Sequence, residues 1–210
     1  MQAVHDGYEA VAIKSDTDAV VACFTRRARG DRLQMKVMRG DVHLGIAMSG
    51  VSADSKVVFD HLRALCVEYH TMLGARYPLR RLAFRMGLRM GASTLRPDQP
   101  PLKVGMLMIS YDELGPHVFQ VMPSGETFNC KAMMLGARSE SVRCYLECNL
   151  KRFKSASRNV LVSHALHALS CAIPADQMLN IDVGFVGEER TFVLLPQGHV
   201  RRYMQTFNDC

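Results

Sequence analysis

In the run Ala47-Met48-Ser49-Gly50-Val51-Ser52 an apolar stretch gives way to helical spacing, and a serine at such a turn is where a hydrolase exposes a nucleophile. A nucleophile elbow needs glycine two residues before and two residues after the serine, whereas Ala47 and Val51 hold those places. Small residues here let a strand turn tightly into a helix, so Ser49 and Gly50 are expected to be structural. Ser52 is then the expected N-cap, and Asp54 sits in the first turn, where a carboxylate meets the positive end of the helix dipole. A second constellation is Cys144 and Cys148, one helical turn apart, with His164, His167 and Cys171 on one face of the next predicted helix. Two facing helices would thereby offer soft ligands. Structural zinc sites usually carry C-x-x-C knuckles and this chain has none, so these are read as core thiols and no metal is expected. A third is the arginine stripe Arg81, Arg85 and Arg89, with Arg26, Arg27, Arg29 and Arg32 earlier in the chain. With no tryptophan and no recognition motif, it reads as a solvated or subunit-facing surface rather than a nucleic-acid interface.

The elements that position these residues follow from periodicity. Glu9 to Lys14 and Asp18 to Arg26 read as strands around Ser15-Asp16-Thr17, and Leu33 to Met38 and His43 to Met48 repeat the arrangement around Arg39-Gly40-Asp41. After Gly50 the period becomes helical: Val58, Leu62, Leu65, Tyr69 and Met72 mark one face of a helix ending near Gly74. Pro78 opens a second helix with the stripe Leu79, Leu82, Met86 and Met90. Strands return at Lys103 to Tyr111, His117 to Met122 and Thr127 to Leu135. Helices follow at Ser139 to Phe153 and Arg158 to Ala172, then strands at Ile181 to Val186 and Thr191 to Leu195, and a helix from Gly198 to Phe207. Tight hairpins imply antiparallel pairing, and helices arriving in pairs imply two sheets covered on their outer faces. The expected fold is α+β, a four-layer α/β/β/α sandwich spanning 1–210 as one domain.

The chain has 210 residues, a net charge of +6 and 48% hydrophobic residues, the profile of an ordinary globular domain. No apolar run has the length a bilayer needs and no leader pattern opens the chain, so no membrane partner is expected. Seven cysteines, an odd number, fit a reducing compartment, the cytosol or nucleus.

Three motifs in order resemble a known family. Ser49-Gly50-Val51-Ser52-Ala53-Asp54-Ser55-Lys56 is similar to the S-G-L-T-A-D-A-R that follows the fourth strand in α subunits of the 20S proteasome. Ser110 to Gln120 (S-Y-D-E-L-G-P-H-V-F-Q) resembles the family's G-Y-D-D-x-G-P segment. Lys131-Ala132-Met133-Met134-Leu135-Gly136-Ala137-Arg138-Ser139 resembles its K-A-x-x-I/L-G-x-x-S. Gly136-Ala137-Arg138-Ser139 with Tyr145-Leu146-Glu147 looks most like the type-1 class of α subunit. Two departures stand out. Pro100-Pro101-Leu102-Lys103 replaces the family's R-P-F/Y-G, and only Met1-Gln2-Ala3-Val4 corresponds to the end of its N-terminal segment, so the gate-forming tail is expected to be absent.

The resemblance implies the N-terminal nucleophile hydrolase fold without its chemistry. That chemistry needs a threonine with a free α-amine, an acid and a lysine. After Gly7 the nucleophile position holds Tyr8 and the acid position holds Phe24; only the lysine, Lys36, is present. A non-catalytic α subunit is therefore implied, with no cofactor. Its partners would be other α subunits in a seven-membered ring, the β subunits of the catalytic ring and proteasome activators. The first helix pair, Val57 to Met72 and Arg81 to Arg89, would face the catalytic ring. The resemblance also implies that Lys36, with the backbone N–H groups of Gly50 and Val51, receives the C-terminal carboxylate of an activator tail. The alternatives from other classes are an N-terminal nucleophile peptidase in a simpler assembly and a basic nucleic-acid-binding protein.

Overall fold

A computed structural model describes residues 9–24, 37–95, 100–136, 139–173, 181–189 and 191–208. The chain runs through β1 (Ala10–Lys14), β2 (Ala19–Phe24), β3 (Val37–Asp41), β4 (Leu44–Gly50), α1 (Ser52–Leu73) and α2 (Leu79–Leu95). It continues with β5 (Val104–Asp112), β6 (Gly115–Val121), β7 (Thr127–Cys130), β8 (Ala132–Leu135), α3 (Ser139–Lys154) and α4 (Arg158–Ser170), and closes with β9 (Ile181–Val186), β10 (Val193–Leu194) and α5 (Gln197–Asn208). One sheet has the order β10-β9-β2-β1-β8 and the other β3-β4-β5-β6-β7, with antiparallel pairing throughout.

Three buried clusters give the layer order. Val11, Ile13, Val20 and Phe24 on one sheet pack against Val142, Leu161, Leu166 and Leu169 of α3 and α4. Leu44, Ile46, Met106 and Met108 on the other pack against Val58, Leu62, Leu82 and Met86 of α1 and α2. Between the sheets lie Ala10, Ala12, Val21, Ala47, Leu107 and Ile109, the alternate residues of the same strands. The period-2 alternation of each strand thus supplies one outer and one inner core, and the predicted α/β/β/α sandwich is what forms.

In the inner layer Phe192 occupies the space that two glycines leave open. Its ring lies against Gly45 and Gly184, where a Cβ would fall 2.1 and 2.2 Å from ring atoms, and its N–H donates to the Val42 carbonyl at 2.7 Å. Neither facing position admits even an alanine unless the ring shifts.

Several expected boundaries move. The predicted strand Thr127 to Leu135 divides at Lys131 into β7 and β8, which join different sheets, so one apolar run crosses the sandwich. Periodicity carries no signal for this, since both halves remain extended. Arg39-Gly40-Asp41, read as a turn, belongs to β3, with a register irregularity between Arg39 and Asp41; the turn is Val42-His43. The stripe of α2 is buried as expected, whereas in α1 Met72 is 73% exposed and only Val58, Leu62 and Leu65 of the predicted face are buried. Half-buried Tyr69 stacks on Tyr77 with ring centroids 4.2 Å apart, and Gly74 closes the helix in the left-handed conformation. No helix among the described residues is long and apolar enough to cross a membrane.

Candidate functional site

The turn from β4 into α1 is built around the backbone of Lys103. Gly50 has φ +134°, and a Cβ on it would lie 2.1 Å from the Lys103 carbonyl oxygen, so both conformation and space select glycine. The Val51 N–H donates to that carbonyl at 3.1 Å, and the Lys103 N–H donates to Asp54 Oδ2 at 3.0 Å. The first turn of α1 and the start of β5 are therefore clasped from both sides. Asp54 stands in the first turn of α1, beside the positive end of the helix, and its hydrogen bond from Lys103 is a tertiary contact that its spacing did not announce.

Ser52 does not have the expected role. The N-cap is Val51, with no side-chain cap, and Ser52 is the first helical residue. The Ser55 N–H donates to the Val51 carbonyl at 3.0 Å as the first helical bond, and the Ser55 hydroxyl donates to the same oxygen at 3.0 Å. Ser49 is fully buried, paired across the ladder with Gly105, and its polar contact is made within the protein. The Ser49 hydroxyl has no access to solvent.

Lys36, Gly7 and Tyr8 lie outside the described residues. Val37, which follows Lys36, opens β3 and pairs with Ala47, two residues before Ser49. Of the two N–H donors expected to meet a tail carboxylate, that of Val51 is already committed to the Lys103 carbonyl, which shifts the emphasis to Gly50. Gly50 itself is partly exposed and Val51 is 42% exposed, so the turn reaches the surface. Phe24, at the position where an N-terminal nucleophile hydrolase needs its acid, is 2% exposed in the outer apolar core with Val11, Val20 and Leu161.

The Cys/His constellation comes together differently. The Tyr145 hydroxyl and His164 Nδ1 share a hydrogen bond at 2.6 Å and Tyr145 stacks on His167 at 4.7 Å, while the Cys171 thiol donates to the His167 carbonyl at 3.4 Å. Burial, then the neighbouring His167 and Arg152, push the His164 pKa down, which favours the neutral ring. Cys144 and Cys148 are exposed rather than core thiols. Among the described residues no group of three or more His, Cys, Asp or Glu is arranged to hold a metal.

Arg81, Arg85 and Arg89 do form an exposed stripe on α2, interleaved with Phe84 (60% exposed) and Leu88 (55%). His61 of α1 faces it, and burial followed by Arg89 and Arg85 lowers its pKa. The earlier arginines, Arg26 to Arg32, are outside the described residues. One interaction escaped the sequence reading altogether. Arg158, the first residue of α4, donates to Asp18 Oδ1 at 2.7 Å and lies 4.3 Å above the Phe185 ring, tying that helix to the sheet. Its partner is 140 residues away, so no local pattern announces it.

The comparisons with known proteins agree with this geometry. The pattern that defines the family described as "Proteasome subunit" matches residues 4–186. The chain belongs to the proteasome subunit family. Among its relatives, proteasome subunit alpha type-1 of Drosophila melanogaster is 36% identical over 93% of this chain and 72% of its own length. The alpha type-1 subunits of Dictyostelium discoideum (32%; 97% and 84%) and Caenorhabditis elegans (34%; 95% and 78%) are similar over comparable spans.

Proposed function

We propose that this chain is a non-catalytic structural subunit of the outer α ring of the 20S proteasome core particle, in the place held by α type-1 subunits. The observation that carries the reading is the continuous similarity to those subunits across all the layers of the sandwich. Phe24 in place of the required acid supports the absence of catalysis. The chain takes one seat among seven α subunits and docks on the β ring. The outward face of α1 and α2, with Val57, Val67, Phe84 and Leu88 exposed among the arginines, has the mixed apolar and basic character of an interface core and suits that contact. In this reading the protein works in the cytosol and nucleus, in ubiquitin-linked protein degradation.

Native mass spectrometry of the protein, tagged and isolated from its own cells, tests the reading. A stacked-ring mass with many distinct subunits of similar size is expected; a monomer or small homo-oligomer overturns it.

Lys36 and Gly50 are assigned to the pocket for activator tails. One charge-assisted hydrogen bond is worth about 1.5 to 3 kcal/mol, roughly a tenfold to hundredfold change in affinity. Lys36→Ala should leave assembly intact and weaken stimulation by activators with tail carboxylates by about that factor. Unchanged stimulation of assembled variant particles removes Lys36 from the pocket.

A further inference from the structure

At the end of the sandwich that carries the β1–β2 turn, four lysines from separate parts of the chain surround one cavity of about 390 Å³. Lys14 ends β1, Lys131 is the link between β7 and β8, and Lys151 and Lys154 are in the last turn of α3. Among the described residues none of the four makes an ion pair. Among the described residues Asp16 is the one carboxylate in the wall, and Asp112 also acts on Lys14. The positive charge is therefore largely uncompensated, and its effect is visible on Lys14, whose pKa is lowered first by burial and then by Lys131.

The wall is held by hydrogen bonds rather than by loose side chains. The Lys14 N–H donates to the Lys131 carbonyl at 2.9 Å, the Asp16 N–H to the Lys154 carbonyl at 3.0 Å, and Lys14 Nζ to the Pro116 carbonyl at 2.9 Å. These bonds fix β1, the β1–β2 turn, the β7–β8 link, the end of α3 and the start of β6 around the same space. Part of the lysine array answers the negative end of the α3 dipole. Lys14 and Lys131 do not belong to that helix, so helix complementation does not account for them. Apolar groups complete the wall: Leu114, 88% exposed at the tip of the β5–β6 turn, faces Leu150 and Pro116.

We propose that this cavity is a docking site for an acidic peptide segment carrying an apolar residue, its carboxylates set against the four lysines and its apolar side chain against Leu114 and Leu150. A small polyanion would use the lysines but leaves the exposed leucines without a role, which favours the peptide. The volume falls within the usual range for ligand sites, and an uncompensated basic cavity attracts such a segment from a distance.

The test is an anisotropy titration of the full chain with a short fluorescein-labelled peptide of alternating glutamate and leucine. Exchanging two surface ion pairs for two repulsions should weaken binding by about tenfold in the double variant Lys131→Glu, Lys151→Glu. Leu114→Ser, or a glutamate–serine probe, should weaken it several-fold. Both lysines are exposed, and matched thermal melts show that the variant is folded. Unchanged affinity in the double variant overturns the proposal. Equal binding of the glutamate–serine probe, with full competition by tripolyphosphate, also overturns it, in favour of a small-anion site. The readout does not depend on ring assembly, so its failure is distinct from failure of the proteasome reading.

Discussion

Gly50 shows how one residue can settle the beginning of an element. Its φ of +134° is disfavoured for any residue with a side chain, and a Cβ would press on the Lys103 carbonyl at 2.1 Å. Gly50→Ala should therefore cost about 2 to 4 kcal/mol, a strained φ plus a displaced backbone, measured by urea unfolding. The histidines make a second residue-scale prediction. His43 is buried, with Nε2 donating to the Tyr77 carbonyl at 2.9 Å and Nδ1 3.4 Å from Asp41. Burial pushes its pKa below the ordinary 6.5, more strongly than the Tyr77 bond and Asp41 raise it, and His61 and His164 are lowered as well. A base with a lowered folded pKa takes up its proton first in the unfolded chain. Stability is thus undiminished above the unfolded value of 6.5 and falls as the pH drops below it, until the folded rings protonate too. Melting temperatures should decline from pH about 7 to about 5, and the double variant His43→Gln, His164→Gln should flatten that decline.

At the scale of elements, α1 is held at its start by Asp54 more than by a cap. Asp54→Ala leaves the Lys103 N–H without its partner and removes a charge from the first turn, which should cost about 1 to 2 kcal/mol. Ser52, which makes a contact of its own but does not cap the helix, is the contrast; thermal denaturation of Asp54→Ala measures the cost at the acid. The same contrast shows what was legible in the chain. Residue type and spacing placed the helix, its apolar face from Val58 to Leu65, its end at Gly74 and the acid in its first turn, since each depends on neighbours within a turn or two. They misplaced the cap by one residue, because the extended Val51 is fixed by the bond of its N–H to the Lys103 carbonyl, a contact from 52 residues away that no local pattern carries. The division of Thr127 to Leu135 at Lys131 was invisible for a different reason, being decided by which sheet each half can reach. Arg158 and Asp18, and the four lysines about one cavity, meet only through tertiary structure. The Ser49 turn was readable from composition; its clasp on Lys103 was not.

Across the whole molecule, stability depends on how the two sheets are joined. Phe192 fills the space that Gly45 and Gly184 leave open, and Phe192→Ala should cost about 3 to 5 kcal/mol by leaving a cavity between the sheets, read from chemical denaturation. Gly45→Ala should be similarly harmful from the opposite direction, by overfilling. The strand orders carry one more consequence. The β3-β4-β5-β6-β7 sheet pairs only neighbours along the chain, from Val37 to Cys130, whereas the β10-β9-β2-β1-β8 sheet sets β1 beside β8 and β2 beside β9, which ends at Val186. During synthesis, then, the first sheet and its two helices have all their partners while the chain is still growing, whereas β2 waits with one edge bare for β9. That edge is the apolar run Ala-Val-Val-Ala-Cys-Phe, an aggregation-prone strand until it is covered. Until β9 emerges, the nascent chain is adhesive along one margin, and the arrival of a single six-residue strand closes it.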